Sequence, residues 1–376
     1  LLGGLEELIE TGFIQPDAKT GVSGGYRFSK EIERIIVVSQ ISLARKRDLH
    51  LRAANALQVH QERDPSTSAE IAAHYEASGE YSRAIEAWVS AGRYARSIFS
   101  REDTYRAYGK ALDLIKTAPR SFDEELIYTA INEWGNYAYD QDDMPACEMV
   151  YGNSLEIGAA RHSALLTGLG YSGIGRVGYY TNDFRGAEEA FHESIYYLSQ
   201  TGNKAARINA LSALGYIRFG LDDYMEALAL LEEALQLVEG ETDPESVEAR
   251  INIITYICAM LCFTGNITRA NDLAVHAVRD SIRVNRRLSR LQAYIIWAMT
   301  EYFRGNYQKT LQICEENDEF ANKLQVRFWS SLKDLLQAMS YLAIGNLDAS
   351  WNFLAQVEDR QKNYPTEKIA MHAWKV

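Results

Sequence analysis

Residues 211–231 read LSALGYIRFGLDDYMEALALL, and the fold follows from this stretch. Leu211 and Leu214 precede a small residue, Gly215. After Asp222-Asp223-Tyr224 comes a second small residue, Ala227, and then Leu228, Leu231, Leu235 and Val238 recur at helical spacing. The acidic pair reads as the stop of one helix and the cap of the next. Where the pair is Gly-Asn, Gly accepts the left-handed conformation that ends a helix, and Asn or Asp caps the one that follows. The same signature appears as Asp142-Asp143-Met144, Asn182-Asp183-Phe184, Gly265-Asn266-Ile267, Gly305-Asn306-Tyr307 and Gly345-Asn346-Leu347. The middle residues, 143, 183, 223, 266, 306 and 346, are spaced by 40, 40, 43, 40 and 40. Chance does not hold that register over some 200 residues.

Two further positions keep step. Four residues after each marker stands a small residue: Cys147, Ala187, Ala227, Ala270, Thr310 or Ser350. Eight before it stands another: Gly135, Gly175, Gly215, Cys258, Ala298 or Ala338. Each unit is therefore expected to be two antiparallel helices whose small residues meet where the axes cross most closely. A helix hairpin cannot bury its apolar face alone, so such units stack into a solenoid.

The pattern resembles the tetratricopeptide repeat. One unit carries Leu211, Leu214, Gly215, Ala227, Leu231 and Ala234. Another carries Ile131, Trp134, Gly135, Cys147, Tyr151 and Ser154, and an earlier one Ile71, Ala72, Tyr75, Ala84, Trp88 and Ala91. The departure is a period of 40 residues rather than about 34. Kinesin light chain and bacterial peptide-sensing regulators have similar long repeats. The resemblance covers roughly 67–360. It implies an all-α, right-handed helix-hairpin superhelical solenoid, with irregular first repeats over 67–122, regular repeats over 123–362, and the start of a further or capping helix over 363–376. Within the irregular stretch, helices are expected from about Tyr81 to Phe99 and from Glu102 to Lys116, and Pro65, Pro119, Pro244 and Pro365 fall at segment ends.

Residues 1–62 differ. Leu1–Ile14 reads as a short amphipathic helix ending at Gly12, Pro16–Gly25 as a turn-rich loop, Tyr26-Arg27-Phe28 as a strand-like piece, and Glu31–Ser42 and Arg45–His60 as helices. Leu8, Gly12, Tyr26, Phe28, Arg47, His50 and Ala54, followed by Ala69, Ala72, His74 and Tyr75, resemble one particular junction. It is the segment joining the winged-helix module of STAND-class signalling ATPases, including maltose-regulator-like activators, to their tetratricopeptide sensor. The resemblance implies a small winged-helix-like N-terminal segment, with the ATPase upstream in a longer parent chain.

Composition narrows the function. The 376 residues carry 39 Lys plus Arg against 51 Asp plus Glu, a net charge of −12, which argues against general nucleic-acid or anionic-membrane binding. Only six prolines occur, which favours long helices. The cysteines Cys147, Cys258, Cys262 and Cys314 lie inside apolar helical patterns, as in a reducing, cytoplasmic compartment. The longest apolar stretch, Ile251–Phe263, is too short to span a bilayer. No P-loop and no His-Glu-x-x-His motif occurs, the seven histidines are scattered, and no cofactor or metal is expected.

Two local oddities stand out. Gly168-Leu169-Gly170-Tyr171-Ser172-Gly173 matches a dinucleotide fingerprint in letters but lies inside a repeat helix without a preceding strand. Together with Gly175 and Gly178 it puts five glycines in one helix, each costing roughly 0.8–1 kcal/mol relative to Ala. Close helix packing, close approach by a ligand, or a bendable point in the solenoid would each offset that cost. Arg279, Arg283, Arg286, Arg287 and Arg290 form a basic run, either a solvated face paired with nearby acids or a patch for phosphate or an acidic partner.

The repeat frame places the first helix of each hairpin on the concave side. Asn132, Asn136 and Tyr139 project there, then Ser172, Arg176 and Tyr179, then Asn209, Ser212, Tyr216 and Phe219, and then Asn252 and Thr255. Asn and Ser hydrogen-bond an extended backbone, and Tyr supplies area with a polar tip. The carboxylate-clamp subtype needs a cluster of Lys, Arg and Asn, and this groove offers essentially Arg176 alone, so that subtype is not expected. Ile295, Met299 and Phe303 make the equivalent later positions more apolar. The expectation is a non-catalytic protein- or peptide-binding sensor or scaffold region of a larger signalling regulator. The alternatives are a plain assembly scaffold, or part of a nucleic-acid-binding transcription regulator.

Overall fold

The computed structural model describes residues 2–16, 26–59, 61, 64–118, 120–141, 143–284, 287–318 and 327–363. The expected loop over 16–25, Pro119, Asp142, Arg286 and the segment 363–376 fall wholly or largely outside these. The regular structure among the described residues is helical apart from one two-stranded ribbon, and the chain divides into two compact units, 1–134 and 135–376.

The first unit opens with α1 (Leu2–Glu10), which ends through Gly12 at φ +67°. β1 (Ile14–Pro16) pairs antiparallel with β2 (Tyr26–Phe28), Ile14 opposite Phe28. Then come α2 (Glu31–Gln40), α3 (Leu43–Gln58), α4 (Ser68–Ser78), α5 (Tyr81–Ser97), α6 (Arg101–Thr117) and most of α7 (Glu124–Asp140). α3 packs on α4: Tyr75 donates to Asn55 Oδ1 at 3.0 Å, and the Nδ1 atoms of His50 and His74 share a hydrogen bond at 2.8 Å. The α4–α5 turn uses Gly79 at φ +91° and the bond from Glu80 N to Tyr75 O, the same closure that recurs in the second unit.

The second unit comprises the end of α7, then α8 (Met144–Arg161), α9 (Ala164–Tyr180), α10 (Phe184–Leu198), α11 (Lys204–Gly220), α12 (Tyr224–Val238), α13 (Pro244–Phe263), α14 (Ile267–Val284), α15 (Arg287–Phe303), α16 (Tyr307–Glu316), α17 (Arg327–Ala343) and α18 (Leu347–Asn363). The markers whose residues are all described are tight turns. Asn182, Asp222, Gly265, Gly305 and Gly345 take φ between +63° and +85°. The following amide closes each turn onto a carbonyl five residues back, for example Asp183 onto Gly178 and Asn306 onto Glu301. Asp143, Asp183, Asp223 and Asn346 then cap the next helix by accepting from the amides of Ala146, Gly186, Glu226 and Ala349. Asn306 does not cap, because its side-chain amide donates to Glu301 instead.

The small residues meet at the helix crossings. Thr310 Oγ1 donates to Ala298 O at 3.1 Å, Ser350 Oγ to Ala338 O at 2.9 Å, and the Cys258 thiol to Ala270 O at 3.2 Å. Packing at the crossing is an exchange of volume. A Cβ on Gly175 would meet Phe191 at 2.8 Å, one on Gly215 would meet Leu231 at 2.8 Å, and one on Gly135 would run into Tyr151. Sixteen residues past Cys258 and Ala298, which are larger than glycine, the chain instead places Ala274 and Cys314, all of them buried. A core of near-crystalline density admits only such matched changes.

The glycines of α9 resolve in the same way. Gly168 meets Leu198, Gly170 meets Leu155, Gly173 meets Tyr151 and Gly175 meets Phe191. Their absent side chains are replaced by large ones from α8 and α10, so close helix packing accounts for them. α13 is long and apolar enough to cross a membrane by length and composition, but Ile251, Ile254, Ile257, Cys258 and Leu261 are core residues of this unit. All four cysteines are free and buried.

Candidate functional site

The repeat spacing sets tyrosines on the first helices of consecutive hairpins, and in the second unit four of them converge. Arg176, in the middle of α9, donates from Nη1 to Asn136 Oδ1 at 2.5 Å and lies over the Tyr139 ring, 4.0 Å from its centre. The Tyr151 hydroxyl reaches the same nitrogen at 3.5 Å after threading between Gly135 and Gly173. Tyr139 also stands edge-on to Tyr180 at 6.2 Å. On the next helices, Tyr216 and Tyr256 stack with centroids 3.8 Å apart.

The electrostatics link these groups as neighbours. Burial pushes the Tyr256 hydroxyl up to about 12, and the Tyr179 and Tyr139 hydroxyls add to the shift. Burial raises Tyr216 further, with Tyr256 contributing, while a hydrogen bond with Ser212 opposes the shift. Tyr179 is raised by burial and by Tyr139. Tyr216 and Tyr256 nevertheless keep part of their surface exposed, so they are not sealed into the core. No carboxylate contributes to any of these three shifts. All three hydroxyls are neutral donors at neutral pH.

The sequence-derived groove residues divide into two sets. Asn136, Tyr139, Arg176, Tyr179 and Tyr216 come together, with Ser172 and Asn252 half-buried on α9 and α13 and Asn209 exposed on α11. Ser212, Phe219 and Thr255 are buried: Ser212 supports Tyr216, Phe219 stacks on Phe263 at 6.1 Å, and the Thr255 hydroxyl returns to Ile251 O at 2.8 Å. Asn132 belongs to the first unit, half-buried on α7. Ile295 and Met299, projected onto the equivalent face, do not line a groove. Both are fully buried because α13 and α15 pack directly against each other, whereas α9 and α11 touch only sparingly. Phe303 meets Phe263 edge-on at 5.7 Å.

Tyr256 was missed by the repeat frame. The interval of 43 residues displaces it by three, close to one helical turn, so it regains the face of Tyr216 from an unexpected position. Its separation of 40 from Tyr216 was the available signal. In the basic run, Arg283 lies 3.9 Å from Asp280, which also binds Arg250 at 2.9 Å, a paired surface network. Among the described residues, no group of three metal-ligating side chains converges.

No protein-family model and no curated protein sequence matches the chain. Solved structures do. The apo form of RapI is 12% identical with a TM-score of 0.57, covering 74% of this chain and 97% of its own. A Rap protein complexed with competence and sporulation factor is 13% identical with a TM-score of 0.54, covering 88% and 90%. A Signal Transduction ATPase with Numerous Domains from Pyrococcus horikoshii, which carries a tetratricopeptide repeat sensor, is 14% identical with a TM-score of 0.54. That match covers 98% of this chain, which spans 59% of the archaeal protein. The helix-hairpin units, their capped turns and these neighbours together establish the fold: this chain is an all-α, tetratricopeptide-type repeat solenoid.

Proposed function

We propose that the chain is a non-catalytic binding region that takes an extended peptide or protein segment on the face formed by the end of α7 and by α9, α11 and α13. The observation that carries this is the convergence of Asn136, Tyr139, Arg176, Tyr179, Tyr216 and Tyr256 from four successive first helices. Side chains offering amide, hydroxyl and ring surfaces along one line suit a peptide backbone with its side chains. The structural neighbour crystallised with competence and sporulation factor supports the reading. The alignment of nearly this whole chain with part of a multidomain ATPase supports its placement in a larger cytoplasmic regulator with upstream domains. Ligand binding would then favour one arrangement of the repeats and bias the upstream switch. The acidic net charge of −12 speaks against a nucleic acid or an anionic membrane as the partner.

Immobilised hexapeptide arrays probed with the purified chain test the docking face. Asn136→Ala, Arg176→Ala and Tyr216→Ala are expected to weaken capture of the bound peptides. Changes at Tyr196, exposed on α10, or in the arginine run are expected to leave it unchanged. Full retention in the first three variants with loss in the others would refute this placement.

A further inference from the structure

Two imidazoles meet where α3 packs on α4 in the first unit. The Nδ1 atoms of His50 and His74 lie 2.8 Å apart, with the rings tilted by 41° and their centres separated by 5.1 Å. Both residues are half-buried. At that distance one ring donates and the other accepts, so at least one Nδ1 must be unprotonated. One proton added to the pair is shared, because an imidazolium still donates to a neutral ring. A second proton leaves two N–H groups and two positive charges facing each other, and the contact is lost. Imidazole is the side chain whose ordinary value places this change between about pH 5 and 8.

The surrounding charges do not offset a doubly protonated pair. Glu70 stands one turn before His74 with Oε1 3.9 Å from His74 Nε2, but its side chain is 63% exposed. On α3, Asp48 is engaged by Arg45 at 3.0 Å and by Arg52 at 3.3 Å, while Lys46 and Arg47 add positive charge. Of the elements packed on α4, α5 brings Arg83 over the Tyr75 ring at 5.7 Å, and its Trp88 donates to Glu76 at 3.2 Å. The single turn Pro65–Thr67 brings Asp64, whose side chain accepts from Ser66 N. Burial lowers His74, His50 lowers it further, and Glu70 opposes them. The other polar ties across the joint run from Tyr75 to Asn55 and Gln58, with neither imidazole nor carboxylate among them.

We propose that the His50–His74 contact is a proton-operated latch, which holds α3 on α4 while one ring is neutral and releases it when both are charged. α3 leads from the ribbon and α2 into the repeats, so mild acidification loosens the N-terminal segment from the first repeat. His74 holds its proton less tightly in the folded chain than in the unfolded one. The stabilisation is therefore present above the ordinary value of 6.5 and is lost as the pH falls from there through the lowered folded value.

Amide hydrogen exchange of the full chain, read by mass spectrometry at about pH 7.5 and about pH 5 and corrected for the intrinsic pH dependence of exchange, tests the latch. α3 is expected to open about fivefold or more in acid, the scale of one lost hydrogen bond, and α11 and α12 to change less. His50→Gln offers both an amide donor and a carbonyl acceptor, so it meets His74 in either protonation state and is expected to remove the acid-induced opening. Side-chain NMR of the histidines in the unaltered chain gives a readout that no variant's folding affects. One of the seven imidazoles should take its proton only below the ordinary range, and in His50→Gln that imidazole should titrate at higher pH. No excess opening of α3 in acid, equal opening in the unaltered and His50→Gln chains, or seven histidines that all titrate near the ordinary value overturns the inference. The measurement uses no peptide, so its outcome is separate from that of the docking reading.

Discussion

Tyr151 occupies the space that a side chain on Gly173 would need, and its hydroxyl continues past that glycine to Arg176. Packing between α8 and α9 and the placement of the candidate binding cation are thus one arrangement. Gly173→Ala forces the ring or the backbone to move and is expected to destabilise by about 1–3 kcal/mol, despite alanine's better helix propensity. Gly152, also within a helix, has nothing within 4 Å of its would-be Cβ, so Gly152→Ala is expected to stabilise by about 0.8 kcal/mol. Urea melts of the two variants should move in opposite directions. A neutral Gly173→Ala would show that Tyr151 is loosely held.

Gly215→Leu tests the repeat frame. Its Cβ would meet Leu231 at 2.8 Å, and the expected cost is about 1–3 kcal/mol. Asp223 caps α12 and lies 3.7 Å from Arg218 at the surface, so Asp223→Ala should cost only about 1 kcal/mol. A reversed order in denaturant melts would mean that the crossing is not where stability is concentrated.

Turn chemistry and crossing residues were legible from sequence because both are local. The expected left-handed glycine is seen at Gly265, and Asn182 and Asp222 take the same conformation where no glycine stands. The large partner of each small residue was not recognised as such, although Tyr151 and Leu231 stand a constant sixteen positions after Gly135 and Gly215. The site was legible only in part. A projection assigns a face but not a depth, so Phe219 and Thr255, on the chosen face, are covered by neighbouring helices. Tyr256 escaped because three inserted residues moved it by nearly one turn.

The clustered tyrosines make a prediction about alkali. The Tyr256 proton is held more tightly in the folded chain, up to about 12, than the ordinary value of 10.0. Its contribution to stability is therefore fully present below pH 10 and is lost as pH rises from 10 toward 12. Phenolate absorbance of the native chain should show late-titrating tyrosines that become ordinary in denaturant. Tyr256→Phe should lose less stability across that window. If all 23 tyrosines titrate together near the ordinary value, the cluster is open to bulk water.

The thiols make another. Burial pushes Cys147 up to about 11 and Cys262 and Cys314 up to about 12, and it raises Cys258 well above the ordinary thiol value. With the thiolate disfavoured and the sulfurs shielded, native protein should react slowly with an aromatic disulfide reagent at neutral pH. Unfolded protein should release four equivalents promptly. Fast reaction of any one thiol in native protein would mark a local opening around it.

The central claim is that a peptide docks on the tyrosine cluster, and site-specific photo-crosslinking reads it most directly. Tyr179, in the cluster on α9, and Tyr196, exposed on α10, are each replaced by p-benzoylphenylalanine and irradiated with an array-selected hexapeptide. The account predicts covalent capture from position 179, abolished by excess unlabelled peptide, and none from position 196. Equal capture from both positions, or capture from position 196 alone, would contradict it.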